Sequence, residues 1–438
     1  MKKYRDQHGI GGWDRISGLF KNKARVPYLY LVPKLKDINK LRPLASYFRH
    51  PLKYVYKYAG MALIIILKAL TNTHHFNLFR TYDTLDHLEK IFQEIENLEK
   101  TSPDLHISTY AGDVKQLFTE LPHEEVIDAM KWAIEMVRKT KKGRSKYSVT
   151  LNKIDKKMSR MGPTYDDIET IEVTFQEIIQ IVRSDMGNSF FKINEEIIRQ
   201  IFGIPQGSPL SPALAQCVLM YFEHKFLSSI YDNTHFMGIR YFDDIRLIVI
   251  SLTSKQEDIE ESEKLIGRFI ASLPESLVLE PEPNEDNRFR FLEAHISMKE
   301  KTSFYYSKNY EAKEEIIPQD LTTYPFQTYF GSYMQNPKQE IKNNVRTRLE
   351  AIENYSRDEK CIERGVTSSI GDFYCSGFPK SIILETTYNF AEKVSSRPRE
   401  WRRMIDHLKK MYPEQSYRVR CLKQKLKNKL RRHKKKCT

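Results

Sequence analysis

Hydrophobic and polar residues alternate with two different periods along this chain, and the two periods predict separate helices and strands. Apolar residues recur three and four positions apart across 84–100, which is typical of a helix with one buried face. By the same reasoning, further helices are predicted at 52–70, 122–140, 173–184, 210–227, 258–273 and through most of 338–412. Strands are predicted at 27–34, 105–114 and 189–193, with hairpins over 237–250 and 288–307. Because helices and strands follow one another irregularly, the predicted fold class is α+β.

The most apolar window, residues 59–70 (AGMALIIILKAL), is too short to cross a bilayer and contains Lys68. It therefore predicts a buried core helix, and we expect no membrane partner. The five cysteines show no CxxC pairing, which is typical of reduced thiols in an intracellular compartment.

Positive charge is concentrated near the C-terminus. The formal net charge is +14, and residues 418–438 hold eleven Lys or Arg and no Asp or Glu, which leaves +3 (14 minus 11) for 1–417. Such a segment is typical of binding to a polyanion, most simply a nucleic acid. A solubilising tail or a localisation signal would have the same composition. In a eukaryotic host it would slightly favour the nucleus over the cytoplasm.

Two adjacent acids, Asp243 and Asp244, interrupt the apolar, β-branched stretch 240–250 (RYFDDIRLIVI). A buried unpaired carboxylate is costly, so a functional or structural reason is needed. A hairpin with its turn at Asp243–Asp244 would place both acids at the tip. The similar tripeptide at 165–167 (YDD) precedes charged residues without a strand pattern, which favours a solvated loop or an acidic helix start there.

A third acid, Asp113, ends the strand predicted at 105–114. If the fold brings this strand beside the hairpin, the carboxylates can bind two Mg²⁺ ions about 4 Å apart, which activate a hydroxyl and stabilise the leaving oxygen of an in-line displacement. Between these acids lies 203–216 (GIPQGSPLSPALAQ), whose glycines allow a close backbone approach and whose Gln206 can contact a base. A rigid structural loop is the alternative interpretation of its prolines.

Taken in order, DVKQLF at 113–118, GIPQGSPLSPALA at 203–215 and YFDD at 241–244 resemble motifs A, B and C of reverse transcriptases. The stretches 27–35 (PYLYLVPKL) and 42–46 (RPLAS) resemble the fingers motifs that hold the incoming triphosphate, and 290–298 resembles the segment that leads to the primer grip. The thumb stretch within 323–383 is similar to Penelope-like elements, the branch near telomerase. The resemblance covers roughly 27–385.

Two departures from the Penelope-like pattern limit what it implies. The fingers motif there reads P-K-x-H-K, whereas here Lys36 and Asp37 occupy its last two positions, so only Lys34 and Arg42 carry over. We expect neither a GIY-YIG endonuclease nor an RNase H domain in this chain.

The resemblance implies a right-hand polymerase with four regions. These are an N-terminal region and fingers at 1–104, a palm of antiparallel sheet and helices at 105–310 with a fingers insertion around 138–200, a helical thumb at 311–412 and a basic tail at 413–438. The implied partners are an RNA template, a DNA primer or primer–template duplex, and dNTPs.

The resemblance also implies a set of site residues. The catalytic residues would be Asp113, Asp243 and Asp244, and these three with the carbonyl of Val114 would bind two Mg²⁺ ions, for which Mn²⁺ can substitute. The residues expected to bind the incoming dNTP are Lys34, Arg42, Phe118, Gln206 and Gly207.

Phe118 separates polymerase classes, because its position resembles a steric gate whose ring would clash with a ribose 2′-OH. Core packing is the alternative role of this ring. Two other functions stay open: a viral-type RNA-dependent RNA polymerase that uses rNTPs, and a catalytically silent nucleic-acid-binding protein derived from a reverse transcriptase. The intact acids argue against the second.

Overall fold

The computed structural model describes residues 25–34, 37–70, 73–163, 169–230, 235–252, 255–284, 286–305, 337–375 and 378–411. The tripeptide at 165–167 and the basic tail lie outside the described residues. The chain divides into two compact units, one formed by 1–79 and 112–282 and the other by 80–111 and 283–438. The boundaries predicted for fingers, palm and thumb stay a prediction.

Fourteen strands are present in the described part of the chain. They are β1 (Leu29–Lys34), β2 (Asp37–Ala45), β3 (His106–Val114), β4 (Ser148–Asn152), β5 (Arg160–Met161), β6 (Thr170–Thr174), β7 (Phe190–Ile193), β8 (Glu196–Arg199), β9 (His235–Tyr241), β10 (Asp244–Ser251), β11 (Leu279–Pro281), β12 (Arg288–Phe291), β13 (Ala294–Ser297) and β14 (Thr302–Tyr305).

Ten α-helices accompany these strands in the described residues. They are α1 (Lys53–Lys68), α2 (Thr84–Thr101), α3 (His123–Lys139), α4 (Phe175–Gly187), α5 (Ser211–Leu227), α6 (Gln256–Ala271), α7 (Pro337–Tyr355), α8 (Glu359–Cys375), α9 (Lys380–Lys393) and α10 (Pro398–Met411). Every helix predicted from the sequence is present, within three residues at each end.

The central sheet of the first unit has the strand order β11-β3-β10-β9. The pairs β9–β10 and β3–β11 are antiparallel. Helices α3 and α5 pack on each other, and α6 packs on β10. Rings of Phe226 on α5, Phe236 on β9 and Phe269 on α6 lie 5.2 to 5.9 Å apart between centroids, so the helices are joined to one face of the sheet by an aromatic cluster.

Helix α5 is apolar around most of its circumference because it is buried on nearly all sides. Ala213, Leu214, Cys217 and Val218 are all at most 3% exposed, and Pro212 lies in the first turn, where its missing N–H leaves no bond unmade. The helix predicted from the window 59–70 is α1, which buries Ala59, Leu63 and Ile66. Among the described residues, no helix is both long and apolar enough to cross a bilayer.

Three smaller sheets complete the first unit. Strands β1 and β2 form an antiparallel hairpin, β7 pairs with β8, and β4 lies between β5 and β6. The last of these sheets leads into α4, where Thr174 and Glu177 form a reciprocal capping box. The sequence pattern predicted none of the strands β4, β5, β6 and β8.

The second unit contains the meander β12-β13-β14 and the helices α7 to α10, with α2. The hairpin predicted over 288–307 with one turn is wrong, because Leu292 (φ +55°) begins a second turn that divides its first strand into β12 and β13. Arg357 ties this unit together, since its guanidinium donates to Glu89 (2.9 Å) and Glu96 (3.1 Å) on α2. Trp401 of α10 is fully buried against Phe390 of α9.

Candidate active site

The hairpin of β9 and β10 carries the two adjacent acids. Its register pairs Tyr241 with Asp244, so the turn consists of Phe242 and Asp243. The predicted turn at Asp243–Asp244 is therefore wrong by one residue. Phe242 adopts a left-handed backbone (φ +54°), which a bulky residue rarely does and which no local sequence signal predicts. As a result Asp243 lies at the tip, whereas Asp244 is the first residue of β10.

Asp113 lies beside this turn, at the end of β3. The backbone N–H of Val114 donates to the carbonyl oxygen of Asp243 at 2.9 Å, which links the ends of two strands that are distant in sequence. Asp113 and Asp243 are both half-buried, and the side chain of Val114 is buried. The structure thus brings Asp113 close to Asp243, as a shared metal site would need.

Burial raises the pKa of Asp243 above its usual range, because the surrounding protein disfavours the charged carboxylate. The positive charges of Arg42 and Arg240 lower this pKa, and the negative charge of Glu282 raises it. The net direction is upward. The positive charge of Arg42 and Arg240 therefore does not fully offset the cost of burying the Asp243 carboxylate.

Arg240 supports the turn from the helical face of the sheet, and sequence reasoning missed it. The Arg240 side chain is fully buried and pairs with Glu223 of α5, which is 1% exposed. Its Nη1 also donates to the carbonyl oxygen of Phe242 at 3.1 Å. The backbone N–H of Phe76 donates to Glu223 at 3.1 Å, so the buried ion pair joins the turn to two other segments.

Asp244 has a different environment from Asp243. Its Oδ1 lies 2.6 Å from Nη1 of Arg246, a side chain that is only 2% exposed. The two residues are separated by one position in β10 and so point to the same face of the sheet. Arg246 was not predicted as a site residue, because an arginine within an apolar strand gives no sequence signal of its partners.

The loop before α5 is held against the turn that follows β3. The N–H of Ile204 donates to the carbonyl oxygen of Phe118 at 2.7 Å. Gly203 adopts φ +70°, and a Cβ there would lie 2.3 Å from the carbonyl oxygen of Thr119. Phe118 itself is half-buried. The predicted nucleotide-pocket residue Phe118 and the glycine-rich loop are therefore neighbours in the structure.

The same loop also contacts the β1–β2 hairpin. The N–H of Ala45 donates to the carbonyl oxygen of Gln206 at 2.8 Å. Gly207 has φ +121°, and a Cβ at this position would lie 2.2 Å from the carbonyl oxygen of Ala45. Gln206 is half-buried and Gly207 is exposed. Only glycine fits here, for both its backbone conformation and its close approach.

The β1–β2 hairpin carries the two predicted triphosphate-binding residues. Arg42 is exposed and lies opposite Val32, and its charge acts on Asp243. Lys34 is the last residue of β1, and its backbone lies opposite Asp37 of β2 in the strand register. The structure therefore brings Arg42, Gln206, Phe118 and the acids into one region of the first unit, and Lys34 lies on the same hairpin.

A buried carboxylate beneath the loop was also missed. Asp185 of α4 is 2% exposed, and it accepts hydrogen bonds from Ser208 (3.2 Å) and Tyr47 (3.5 Å). Tyr56 of α1 is a further hydrogen-bond partner of this carboxylate. Burial raises the pKa of Asp185 to about 7. The polar network connects the loop to α1 and α4.

The donor set at the hairpin tip fits magnesium. Among the described residues no group of three or more His, Cys, Asp or Glu forms a metal cage. Mg²⁺ in phosphate-processing sites does not need one, because it binds one or two carboxylates and takes its other ligands from water and phosphate. Asp113 and Asp243 provide those two carboxylates. Burial raises the pKa of Asp243, and a bound cation would offset this cost of burying the carboxylate.

Two solved telomerase structures are similar to this chain over most of its length. Telomerase from Candida albicans, in complex with a TWJ fragment of telomeric RNA, superposes with a TM-score of 0.51 at 12% identity, covering 89% of this chain and 64% of that one. Apo telomerase from Candida Tropicalis gives 0.50 at 13% identity, covering 92% and 67%. The chain has a reverse-transcriptase-like polymerase fold. It spans about two thirds of the telomerase chains that it matches.

An RNA-dependent RNA polymerase from BmCPV also matches, with a TM-score of 0.40 at 11% identity over 85% of this chain and 27% of that one. No protein-family model and no curated protein sequence matches the chain. The polymerase fold confirms the predicted α+β class. The assignment to the Penelope-like branch stays a prediction.

Proposed function

We propose that this protein is an RNA-directed DNA polymerase, which extends the 3′-OH of a primer with dNTPs along an RNA template. The observation that carries the proposal is the 2.9 Å backbone hydrogen bond from Val114 to Asp243, because it sets two half-buried acids side by side within a polymerase fold. The order of the three motifs and the similarity of the thumb sequence support a relation to Penelope-like retroelements.

In this proposal each part of the site has one task. Two Mg²⁺ ions, when bound, would supply Lewis-acid activation of the primer hydroxyl and charge stabilisation at the phosphate. Asp113 and Asp243, with the carbonyl of Val114, hold these ions, and the residues of the fingers hairpin bind the triphosphate. Arg42 and Lys34 neutralise its negative charge, which is the main form of stabilisation in such a transfer.

Phe118 and the loop of Gln206 shape the nucleotide pocket. Two observations support this role: Phe118 is half-buried, and its backbone carbonyl accepts the hydrogen bond from Ile204 of the loop. A bulky apolar ring there disfavours a ribose 2′-OH. The ring of Phe118 therefore supports dNTPs over rNTPs as substrates.

Primer extension on an RNA template tests the proposal. We expect the wild-type protein to extend a DNA primer with dNTPs in the presence of Mg²⁺, and the Asp243→Ala variant to lose this activity by about 100-fold or more. Extension with rNTPs alone would favour an RNA polymerase. Tight binding to the primer–template without extension of either kind would favour the silent nucleic-acid-binding protein.

The control for Asp243→Ala is Asp258→Ala, which removes an acid from the first turn of α6. This variant should extend primers at the wild-type rate. Equal binding of the primer–template by wild type and both variants, measured by fluorescence anisotropy, would show that the loss in Asp243→Ala concerns chemistry and not affinity.

A further inference from the structure

Arg246 lies buried on β10, two residues after Asp244, and four polar contacts of its guanidinium bear on the site. Its Nη1 donates to the carbonyl oxygens of Gly112 (3.1 Å) and Ile245 (2.7 Å). The same Nη1 lies 2.6 Å from Asp244, and Nη2 lies 2.6 Å from Glu282. One guanidinium thus joins β3, β10 and the segment that follows β11.

The contact with Gly112 has a direct consequence for Asp113. Gly112 precedes Asp113, and its carbonyl is held by Arg246. Val114 follows Asp113, and its N–H is held by the carbonyl of Asp243. The two hydrogen bonds therefore fix the backbone on both sides of Asp113, and both of them come from β10 or its turn.

The charge of Arg246 also determines what Asp244 can do. A guanidinium that is 2% exposed needs an anionic partner, because an unpaired buried charge is strongly unfavourable. The side chain of Asp244 is 19% exposed and that of Glu282 is 35% exposed, so Asp244 is the more deeply buried of the two partners. Moving Asp244 onto a metal ion would leave Arg246 with Glu282, its more exposed partner, as the remaining counter-charge.

We propose that Arg246 is a positioning residue, which uses Asp244 and Glu282 as its anchors to set Asp113 against Asp243. This inference rests on the proposed function for its catalytic part. It assigns the two adjacent acids different roles: Asp243 binds the metal ions with Asp113, and Asp244 is the counter-charge of Arg246.

The proposed pairing of Arg246 with Asp244 is tested by the thermal unfolding temperatures of the four proteins of a double-mutant cycle. This measurement needs neither metal nor substrate. The cycle compares wild type, Arg246→Met, Asp244→Asn and the double variant. Because Arg246→Met leaves the Asp244 carboxylate without its partner, the double variant should unfold at a higher temperature than Arg246→Met alone. Strictly additive shifts would overturn the pairing. If Arg246→Met does not fold, Arg246→Lys takes its place in the cycle.

Magnesium titration of primer extension tests the functional part. In Asp244→Asn, whose side chain still offers Arg246 an oxygen, the half-saturating Mg²⁺ concentration should stay within about twofold of wild type. In Asp243→Asn it should rise by about tenfold or more, or activity should be lost. A tenfold rise in Asp244→Asn would overturn the assigned roles and make Asp244 a metal ligand.

A comparison of kcat with KM shows whether Arg246 acts through position. A lysine keeps the charge but cannot make all four contacts, so Arg246→Lys should lower kcat by about tenfold or more. Its KM for dNTP should change by less than about threefold, since the fingers hairpin is untouched. An unchanged kcat would contradict the proposal. The matched control is Arg288→Lys, because Arg288 forms a solvent-exposed pair with Glu300.

The unfolding cycle and the primer-extension assays together separate failure of this inference from failure of the proposed function. A wild-type protein that extends no primer would refute the proposed polymerase activity, and the unfolding cycle would still decide whether Arg246 and Asp244 are coupled. An active wild type with additive unfolding shifts would refute the inference and leave the polymerase activity standing.

Discussion

At the scale of single residues, the site depends on carboxylates that differ in their neighbours. Asp243 is half-buried with a raised pKa, and its positive neighbours only partly offset its burial. Asp244 is adjacent in sequence but has the buried Arg246 at 2.6 Å. Adjacent acids therefore have distinct electrostatic environments because the turn places one at the tip and the other in a strand. Identity of residue type does not imply identity of role.

Substitution of Phe118 is expected to change the choice of sugar. In Phe118→Ala the ring that would clash with a 2′-OH is gone, so incorporation of rNTPs relative to dNTPs should rise by about tenfold or more. Single-nucleotide extension with matched dNTP and rNTP measures this ratio.

A matched control for Phe118→Ala is Phe202→Ala, which removes a ring that is 45% exposed in the adjacent loop segment. This variant should keep the wild-type preference. Unchanged discrimination in Phe118→Ala would mean that the ring serves packing alone, and the assignment as a steric gate would be withdrawn.

At the scale of elements, the loop of 203–210 is the part through which the site is assembled. It bonds to the turn after β3 through Ile204 and to β2 through Gln206. In addition, the hydroxyl of Ser208 in this loop donates a hydrogen bond to the buried Asp185 of α4. A single loop therefore links the β1–β2 hairpin to the turn that carries Phe118.

Replacement of Gly207 should displace this loop. In Gly207→Ala the new Cβ would lie 2.2 Å from the carbonyl oxygen of Ala45, and the backbone would keep a φ that L-residues rarely adopt. We expect a loss of about 1 to 3 kcal/mol in the free energy of unfolding and a raised KM for dNTP. Urea denaturation and steady-state kinetics measure the two effects.

Gly267→Ala is the matched control, because Gly267 lies on the exposed side of α6 with open space around it. This change should stabilise the protein by about 0.5 to 1 kcal/mol, since alanine favours the helix. Equal effects of the two substitutions would contradict the close approach at Gly207.

The sequence predicts most of the elements whose hydrophobic pattern is clear, but the absence of a strand pattern after 165–167 was wrong, because Ile171 and Val173 are buried at alternate positions of β6. Strand β4 was missed because its core is largely polar. All five side chains of β4 are buried, but three of them are Ser148, Thr150 and Asn152, so no apolar alternation marks the strand. Arg240 and Arg246 were missed for a related reason. Their partners Glu223 and Glu282 lie on other elements, and only the tertiary fold brings such charges together.

The predicted site residues depended on three motifs, and the structure places all three around one loop and one turn. The exact turn of the hairpin was not predictable. Turn position is usually marked by Gly, Asn or Asp with positive φ, whereas here Phe242 takes that conformation. A hydrogen bond from Arg240 to the carbonyl oxygen of Phe242 stabilises this conformation.

At the scale of the whole molecule, charge has two separate functions. The described parts of the first unit bury charged residues around the site, notably Asp185, Glu223, Arg240 and Arg246. The segment 418–438 instead concentrates eleven positive residues without acids. The buried charges hold the geometry around the loop and the turn, and we expect the basic segment to raise the affinity for polyanions.

The stability of the protein should depend on pH through Asp185. Burial raises its pKa in the folded state to about 7, above the value near 4 in the unfolded chain. Its contribution to stability is therefore fully present below pH 4 and is lost as the pH rises through 7. Between these values the free energy of unfolding should fall by at most about 1.4 kcal/mol per pH unit.

The Asp185→Asn variant, which cannot ionise, should lack this slope. Burial lowers the pKa of His50 to about 4, so His50 adds a slope of opposite sign below about pH 6.5, but both proteins contain it and its effect cancels in the difference between them. Denaturant unfolding at pH 5, 6, 7 and 8 gives the comparison. Parallel curves for the two proteins would exclude Asp185 as the titrating group.

Binding to nucleic acid should weaken steeply with salt, and the basic segment should contribute to that dependence. Replacement of Lys434, Lys435 and Lys436 with Gln should lower the slope of log K against log salt by about 0.9 for each duplex phosphate contact that is lost. Anisotropy titrations between 50 and 300 mM salt measure the slope. An identical slope would show that these lysines do not contact the phosphates.

The hydrogen bond between Val114 and Asp243 has a consequence for biosynthesis. The strands that it joins are far apart along the chain, and β11, which flanks β3 on its other side, comes later still. During translation, the residues of β3 leave the ribosome long before those of β10 and β11 are synthesised. Both edges of β3 therefore stay unpaired until these later strands are available. The two neighbouring acids are thus brought together late in synthesis, and a nascent chain that ends before Asp243 lacks the pair of Asp113 and Asp243.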